Sequence, residues 1–509
     1  MLNLSKFKYL FMRNYYLLLM FCTTLGFGQK ADLRWSDKIK TKETVYVLGA
    51  KDGAYYTRFR DDDKRMIVRK YDKNLNMLSE DALSLDFDSK KKQYGGAYFV
   101  NDKILHFVQE GLRKENKLYL YGAITDLNLK TSDKIFVLDD APDDAQSFGI
   151  KSISPDSTKV LVYHQLRGRK KDPSSLNLKV YNSSFSEIIF EKSVSLPIKS
   201  KDYSMESVTV DNIGNVYVLA KIVKDKNEVE KDQSKYSYKL FTFGKANDSK
   251  EFDFDYPDRD IESIGLIPGE NNTMIVAGFL KILNKGLFGK GKKTLISDEL
   301  FTSAIDCKTQ VLKFAKKVDL EGLYPEDLKK NSDYVPYAVK NIFYKEDGGA
   351  VLVAEQYKLV VVTTTTPQGG TTTSYRYYYC DVAVVHMDNK GDVQSVSKLP
   401  KYQLNAGNPS ILATYYNGNT YVIYEDLERN ADAETDRDTK RSTKTMFSSD
   451  SKNALMLMTV NAMGEMDKQT IYSYKESKIR PSISNSRVVN KDEIILNAKD
   501  QIGVLKFSI

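Results

Sequence analysis

Three histidines, three cysteines and 68 carboxylates are the side chains in this 509-residue chain with the widest reach in acid–base, nucleophilic or metal chemistry. His106, His164 and His386 stand far apart, each inside a β-forming run, beside Phe107, Tyr163 and Val385. A zinc site draws His and Cys ligands from short, clustered spacings, and none occurs here. All three histidines read as partly buried sheet residues, so no metal ligand and no cofactor is expected. No Gly-x-Ser-x-Gly elbow lies between a strand and a helix pattern, which leaves a Ser-His-Asp hydrolase without its nucleophile signature. Gly291-Lys292-Lys293-Thr294 lacks the glycine spacing of a phosphate loop, and no helical pattern follows it.

Carboxylates remain, and a glycosidase needs only two of them facing a pocket. The densest groups are Asp61-Asp62-Asp63 and Glu251-Phe252-Asp253-Phe254-Asp255-Tyr256. The second alternates acid with aromatic, as a strand with one wet and one packed face does. Trp35 is the only tryptophan, so the repeated tryptophans of sialidase-type and quinoprotein-type propellers are absent. Lys and Arg (76 in all) interleave with acids along the whole chain, and the net charge is +8. Nucleic-acid binding would concentrate them on one face, so it is not expected.

The elements that would position any site repeat about eight times. Val208 to Lys221 reads as a β-run, a turn of Asp, Asn and Gly, and a second β-run, which is a hairpin signal. Labelling each repeat as strands A to D, the A–B turns fall at 51–53, 101–102, 155–157, 212–215, 269–272, 346–349, 417–419 and 490–492. The C–D turns fall at 72–74, 126–128, 182–184, 246–248, 306–308, 388–391 and 461–464. Gly, Asn and Asp suit such turns because they tolerate positive φ or bond their own backbone. The second series is one short, because the last unit stops after a third strand, 503–509. A strand from the other end, around Leu33 to Ile39, can supply the fourth and leave no open edge. The pattern predicts an all-β fold: a single β-propeller of eight blades, with seven as the alternative, closed by N-terminal strand exchange.

Two stretches resemble known propeller repeats. Ser154-Pro155-Asp156-Ser157-Thr158-Lys159-Val160-Leu161-Val162-Tyr163 is similar to the Ser-Pro-Asp-Gly motif of TolB-like propellers, with Ser157 in place of the Gly. Val208-Thr209-Val210-Asp211-Asn212-Ile213-Gly214-Asn215-Val216-Tyr217-Val218 resembles the blades of NHL-like and SBBP-type propellers of exported bacterial proteins. The resemblance covers about two of eight repeats. It implies fold and turn geometry, and no catalytic residue.

Insertions in the B–C connections depart from the repeat and carry the candidate binding residues. They fall near 281–298, 357–379 and 425–453, on consecutive units, with a shorter basic one at 166–175. Tyr357 to Tyr379 reads as a protruding hairpin with its tip at Pro367-Gln368-Gly369-Gly370. Tyr375, Tyr377 and Tyr379 alternate, so they should project on one side, a composition favoured at interfaces. Lys290, Lys292 and Lys293 would flank them. Glu425 to Lys452 is so charged and so poor in aromatics that disorder is expected.

Residues 1–28 have a basic start, an apolar run and small residues before Gln29, the pattern of a secretory signal peptide. Removing them takes away Lys6, Lys8 and Arg13 and no acid, so +8 becomes +5. Cys22 lies in the apolar run, preceded by bulky Phe21 where a lipid attachment site has a small residue. The mature chain, 29–509, keeps Cys307 and Cys380, too few for a disulfide framework. The expected role is a non-enzymatic protein-binding or scaffolding module of the bacterial envelope. It would be periplasmic, peripherally associated with the outer membrane or secreted, without a transmembrane segment in the mature chain. A hydrolase of glycans or peptides, acting through channel-facing carboxylates, is the alternative.

Overall fold

The computed structural model describes residues 31–508. The exceptions are 42, 84–91, 113, 146, 167, 169–171, 228, 230–232, 245–248, 270, 283–298, 321–322, 324–334, 366–368, 406–410, 436–437, 440–441, 446–447, 449–451 and 478. The signal-peptide reading, Cys22, Lys290, Lys292 and Lys293 lie outside the described residues.

Strands dominate, and they gather in chain order into antiparallel sheets. The first sheet comprises Tyr46–Lys51, Ala54–Arg60, Met66–Tyr71 and Met77–Ala82, each paired with the next in sequence. Six further sheets repeat that meander, starting at Lys92, Ser147, Tyr203, Arg259, Tyr337 and Ile411. An eighth holds Ser482–Asn490, Glu493–Ala498 and Gln501–Phe507, and its fourth strand is Ala31–Trp35 from the other end of the chain. Trp35 pairs with Gly503 and Ala31 with Phe507, so the strand starts two residues earlier than the segment expected from sequence and overlaps it at Leu33 to Trp35. Ile39 continues the contact through its N–H to the Asp500 carbonyl (2.7 Å).

The core lies between sheets. One buried apolar cluster joins the third sheet (Leu161, Val180) to the fourth (Val208, Val218), another the fifth (Ala277, Leu300) to the sixth (Leu352, Val385). A cluster of Val47, Tyr55 and Ile67 with Ile495, Ile502 and Val504 joins the first sheet to the eighth. Each fully buried Val, Leu or Ile contributes about 1.5–3 kcal/mol, so these interfaces dominate the stability. The Tyr55 hydroxyl donates to Glu493 Oε1 (2.7 Å), a polar bond across the same junction. Consecutive four-stranded meanders packed face to face, with the last against the first, form the arrangement of a β-propeller.

Turn chemistry explains the regularity. At the A–B turns Asn417 and Gly418 take φ of 49° and 78°, and Ser157 takes 58° at the Gly position of its motif. At the C–D turns an Asx carboxylate or amide collects the loop amides: Asp72 Oδ1 accepts from the N–H of Asn74 and of Asn76, both at 2.8 Å. The fourth residue of three such turns is a bulky apolar one in the left-handed region: Leu75 (66°), Leu129 (69°) and Phe185 (54°). That conformation costs about 1 kcal/mol or more, and burial offsets it. Phe185 packs edge-on against Phe107, Phe136 and Tyr181 at the interface of the second and third sheets.

Candidate partner-binding surface

Meander topology puts the A–B and C–D turns at one end of every sheet and the B–C connections at the other. The sixth sheet is extended at that second end. Its middle strands, Ala350–Thr365 and Thr371–Met387, run well past the core as one hairpin. Buried pairing ends near Gln356, and a register shift between Glu355 and Tyr357 marks where the hairpin leaves the sheet. Such a bulge twists and re-aims the outgoing strands.

Cross-strand pairs beyond the bulge are Tyr357 with Tyr379, Leu359 with Tyr377 and Val361 with Tyr375. Alternation puts these six side chains on one face. Leu359 (43% exposed), Val361 (54%), Tyr375 (54%) and Tyr377 (38%) are open to solvent. Tyr357 and Tyr379 are half-buried with ring centroids 5.0 Å apart, and burial with the neighbouring Tyr357 pushes the Tyr379 hydroxyl pKa up. Of the expected Tyr row, Tyr375 and Tyr377 are exposed and Tyr379 sits at the half-buried base; Leu359 and Val361 share the exposed ladder. Those two were missed in the sequence, because the unbroken apolar run Leu359-Val360-Val361-Val362 has no alternation to mark one face.

The hairpin is held at its base by buried charge. Lys401 and Glu355, both fully buried, form an ion pair at 2.5 Å. Lys340 reaches the other Glu355 oxygen at 3.2 Å. Lys398 pairs with Asp381 (3.0 Å), and the Asp381 Oδ1 also accepts the Lys401 N–H (3.1 Å). Gln403–Leu404 adds to the hairpin's second strand opposite Tyr378 and Tyr379, and Lys444–Thr445 pairs in parallel on its far side. Lys444 forms a buried ion pair with Glu425, whose second oxygen accepts the Tyr474 hydroxyl (2.9 Å). Beside them Asp426 accepts from the Leu427 N–H (2.7 Å) and Asn430 Nδ2 (3.0 Å), and burial pushes its pKa up to about 6.

For the described residues of 425–452 this corrects the disorder expected there: Asn430, Thr439 and Lys444 are buried, and Lys444–Thr445 pairs beside the base of the hairpin. Composition misled because Glu425 and Lys444, 19 positions apart, form a buried ion pair that their separation in sequence hides.

The three histidines, Cys307 and Cys380 are buried. His106 bonds the Tyr94 hydroxyl (3.0 Å) and the Thr125 hydroxyl (2.9 Å), and burial lowers its pKa to about 3. His164 Nδ1 lies 2.6 Å from Asp139, which also holds Lys179 at 2.9 Å. His386 is fully buried, and burial lowers its pKa to about 4. Cys307 and Cys380 are both buried and not joined in a disulfide. Glu251 and Asp253 are exposed on Ser249–Phe254 and share Lys239 (2.8 and 3.3 Å), while Phe252 and Phe254 pack inward, the expected split of faces. Among the described residues no three His, Cys, Asp or Glu side chains gather as a metal-binding group, and no helix is long and apolar enough to cross a membrane.

No protein-family model and no curated protein matches the chain. Solved structures do. A post-proline cleaving enzyme from Rickettsia typhi matches at 13% identity and a TM-score of 0.39, over 86% of this chain. This chain spans 54% of that enzyme's length. The WD40 domain of SCAP from fission yeast matches at 7% identity and 0.38, covering 94% of this chain and 98% of that one. The β-propeller domain of the Trilobed protease from Pyrococcus furiosus matches at 10% and 0.35, covering 86% and 98%. These likenesses carry no functional argument. The sheet topology itself defines the class: an all-β protein of the β-propeller type.

Proposed function

We propose that the chain is a non-enzymatic protein-binding or scaffolding propeller of the bacterial cell envelope. In this reading its eight sheets are eight blades, and Ala31–Trp35 closes the ring. The protein is exported by the leader 1–28 and works in the periplasm or at the outer membrane. Its sequence resemblance to TolB-like and NHL- or SBBP-type repeats belongs with that setting. The observation that carries the binding role is the exposed ladder of Leu359, Val361, Tyr375 and Tyr377 on a hairpin anchored by buried ion pairs. Exposed Tyr offers broad contact at low entropic cost and leaves a hydroxyl to bond. A rigid mounting reduces what must be ordered on association. Tyr379 supports the ladder from its half-buried base.

Replacing 363–374 with a short glycine-containing turn, together with Tyr375→Ala and Tyr377→Ala, tests the reading. The altered protein should remain folded and should no longer co-purify with the partners of the native protein from its envelope. Capture of the same partners by the folded variant would move the binding surface elsewhere.

A further inference from the structure

The hairpin offers a backbone edge as well as a face, and its hydrogen-bond phase can be read. The Tyr377 N–H donates to Asn405 Oδ1 (2.7 Å), and the Asn405 N–H donates to the Tyr377 carbonyl (2.9 Å). Both backbone groups of Tyr377 therefore point away from the hairpin's first strand. Its partner Leu359 must then sit in a non-hydrogen-bonded pair, in which both residues turn their backbone groups outward. Leu359 thus presents N–H and C=O to the opposite edge, and Val361 and Thr363 do the same by the two-residue period. Tyr357 fixes the same phase, since its N–H crosses that edge to the Pro336 carbonyl (2.9 Å). Among the described residues, pairing along this edge ends there.

Exposed edges are ordinarily blunted by charge, proline or a bulge. From Leu359 to Thr365 this strand reads Leu-Val-Val-Val-Thr-Thr-Thr, with neither charge nor proline. We propose that the Leu359–Thr363 edge receives an extended, acidic peptide of a partner protein as an added strand. The outward donors and acceptors recur every second residue, roughly 6.8 Å apart, which is the repeat of another β-strand. Residues 357–379 contain Lys358 and Arg376 and no acid. Both lie on the hairpin face opposite the Tyr ladder, paired with Tyr378 and Val360. An incoming strand that alternates apolar and acidic residues meets the ladder with the first and the cations with the second. A second copy of this edge would instead bring like charges together.

This proposal rests on the Tyr face being a binding surface, and it fails separately from it. The probe is an octapeptide of alternating valine and glutamate, added in millimolar amounts to the full mature chain. Three counterparts accompany it: lysine for glutamate, alternate backbone N-methylation, and no peptide. The amides of Leu359, Val361 and Thr363 should slow in hydrogen exchange by about tenfold or more with the acidic peptide. The lysine and N-methylated peptides should protect them little. Val361→Pro removes one outward N–H that no strand of the hairpin uses, so it should weaken binding while the melting curve holds. Absence of edge protection, or equal protection by the lysine peptide, overturns the proposal. Binding that survives N-methylation and Val361→Pro but is lost in Tyr375→Ala/Tyr377→Ala overturns strand addition and leaves the Tyr face standing. Protection without peptide that grows with protein concentration assigns the edge to self-association, which also overturns it.

Discussion

Asp211 and Glu355 are both fully buried carboxylates, but the groups that satisfy them lie at very different distances along the chain. Asp211 Oδ1 accepts from the N–H groups of Ile213, Gly214 and Asn215 at 2.8–2.9 Å. Its Oδ2 accepts from Asn215 Nδ2 and the Tyr217 hydroxyl, both at 2.8 Å. All these donors come from four residues within six positions of Asp211 on one hairpin. Glu355 is answered instead by Lys401, 46 positions away, and by Lys340 on the preceding strand. The first arrangement can form within an isolated turn. The second exists only once the strands of the sixth sheet and the segment that follows them have come together. The turn therefore builds the repeat, and the ion pairs build the departure from it.

The sharpest way to break this contrast is Lys401→Met. It leaves the buried Glu355 with only the partly exposed Lys340 as a partner, and removing one partner of a buried pair costs up to about 3–5 kcal/mol. Urea unfolding should show that loss. Adding Glu355→Leu should recover much of it, because an apolar pair of similar volume is tolerated where a lone charge is not. If the single and double variants unfold alike, the pair is not the anchor.

Asp211→Ala should cost less, about 2–3 kcal/mol, since the amides it leaves keep partial access to other partners. The defect should be confined to its turn. Hydrogen exchange should rise at 211–217 and remain unchanged at the hairpin of the sixth sheet. Spread of the effect to that hairpin would contradict the local character assigned to this turn.

Asp426 adds a pH dependence of defined sign. Burial puts its folded-state pKa at about 6, above the ordinary value of 3.8. Between those values the folded protein holds a proton that the unfolded chain has released, so this group's contribution to stability rises as pH falls. Above about pH 6 the buried charge costs up to ~3 kcal/mol. Asp426→Asn should therefore be the more stable form near pH 8, with the difference shrinking towards pH 4. His106 and His386 act the other way, because burial lowers their pKa and the unfolded chain gains protons first below the ordinary histidine value of 6.5. The difference between wild type and Asp426→Asn isolates the carboxylate; melting curves across pH 4–8 measure it.

The smallest effect is expected from replacing 363–374 alone by a short turn. The described residues there are exposed and belong to no apolar cluster, so the change should stay within about 0.5 kcal/mol. A larger loss would mean that the tip supports the fold.

Much of the scaffold was legible because it is encoded locally. Asn417-Gly418, Asp72-Lys73-Asn74 and Asp211 to Tyr217 each announce a turn by residues that bond their own neighbours, and each turn appears where its residues stand. The Tyr alternation was readable for the same reason, since the strand period is two whatever surrounds it. Leu75, Leu129 and Phe185 were not readable as left-handed residues, because only the neighbouring sheet's apolar surface offsets their strain.

By itself, then, the sequence determined the strands, the turns that separate them, and which side of the hairpin each Tyr faces, because those depend on residues a few positions apart. Tertiary structure decided that Lys444 and Glu425 would meet, that Asn430, Thr439 and Lys444 would be buried where composition suggested disorder, and which edge of Ala350–Thr365 is left without a partner strand beyond Tyr357 among the described residues. Those outcomes depend on charges and backbone groups brought together from distant segments, and a buried ion pair is favourable only when its partner is already in place.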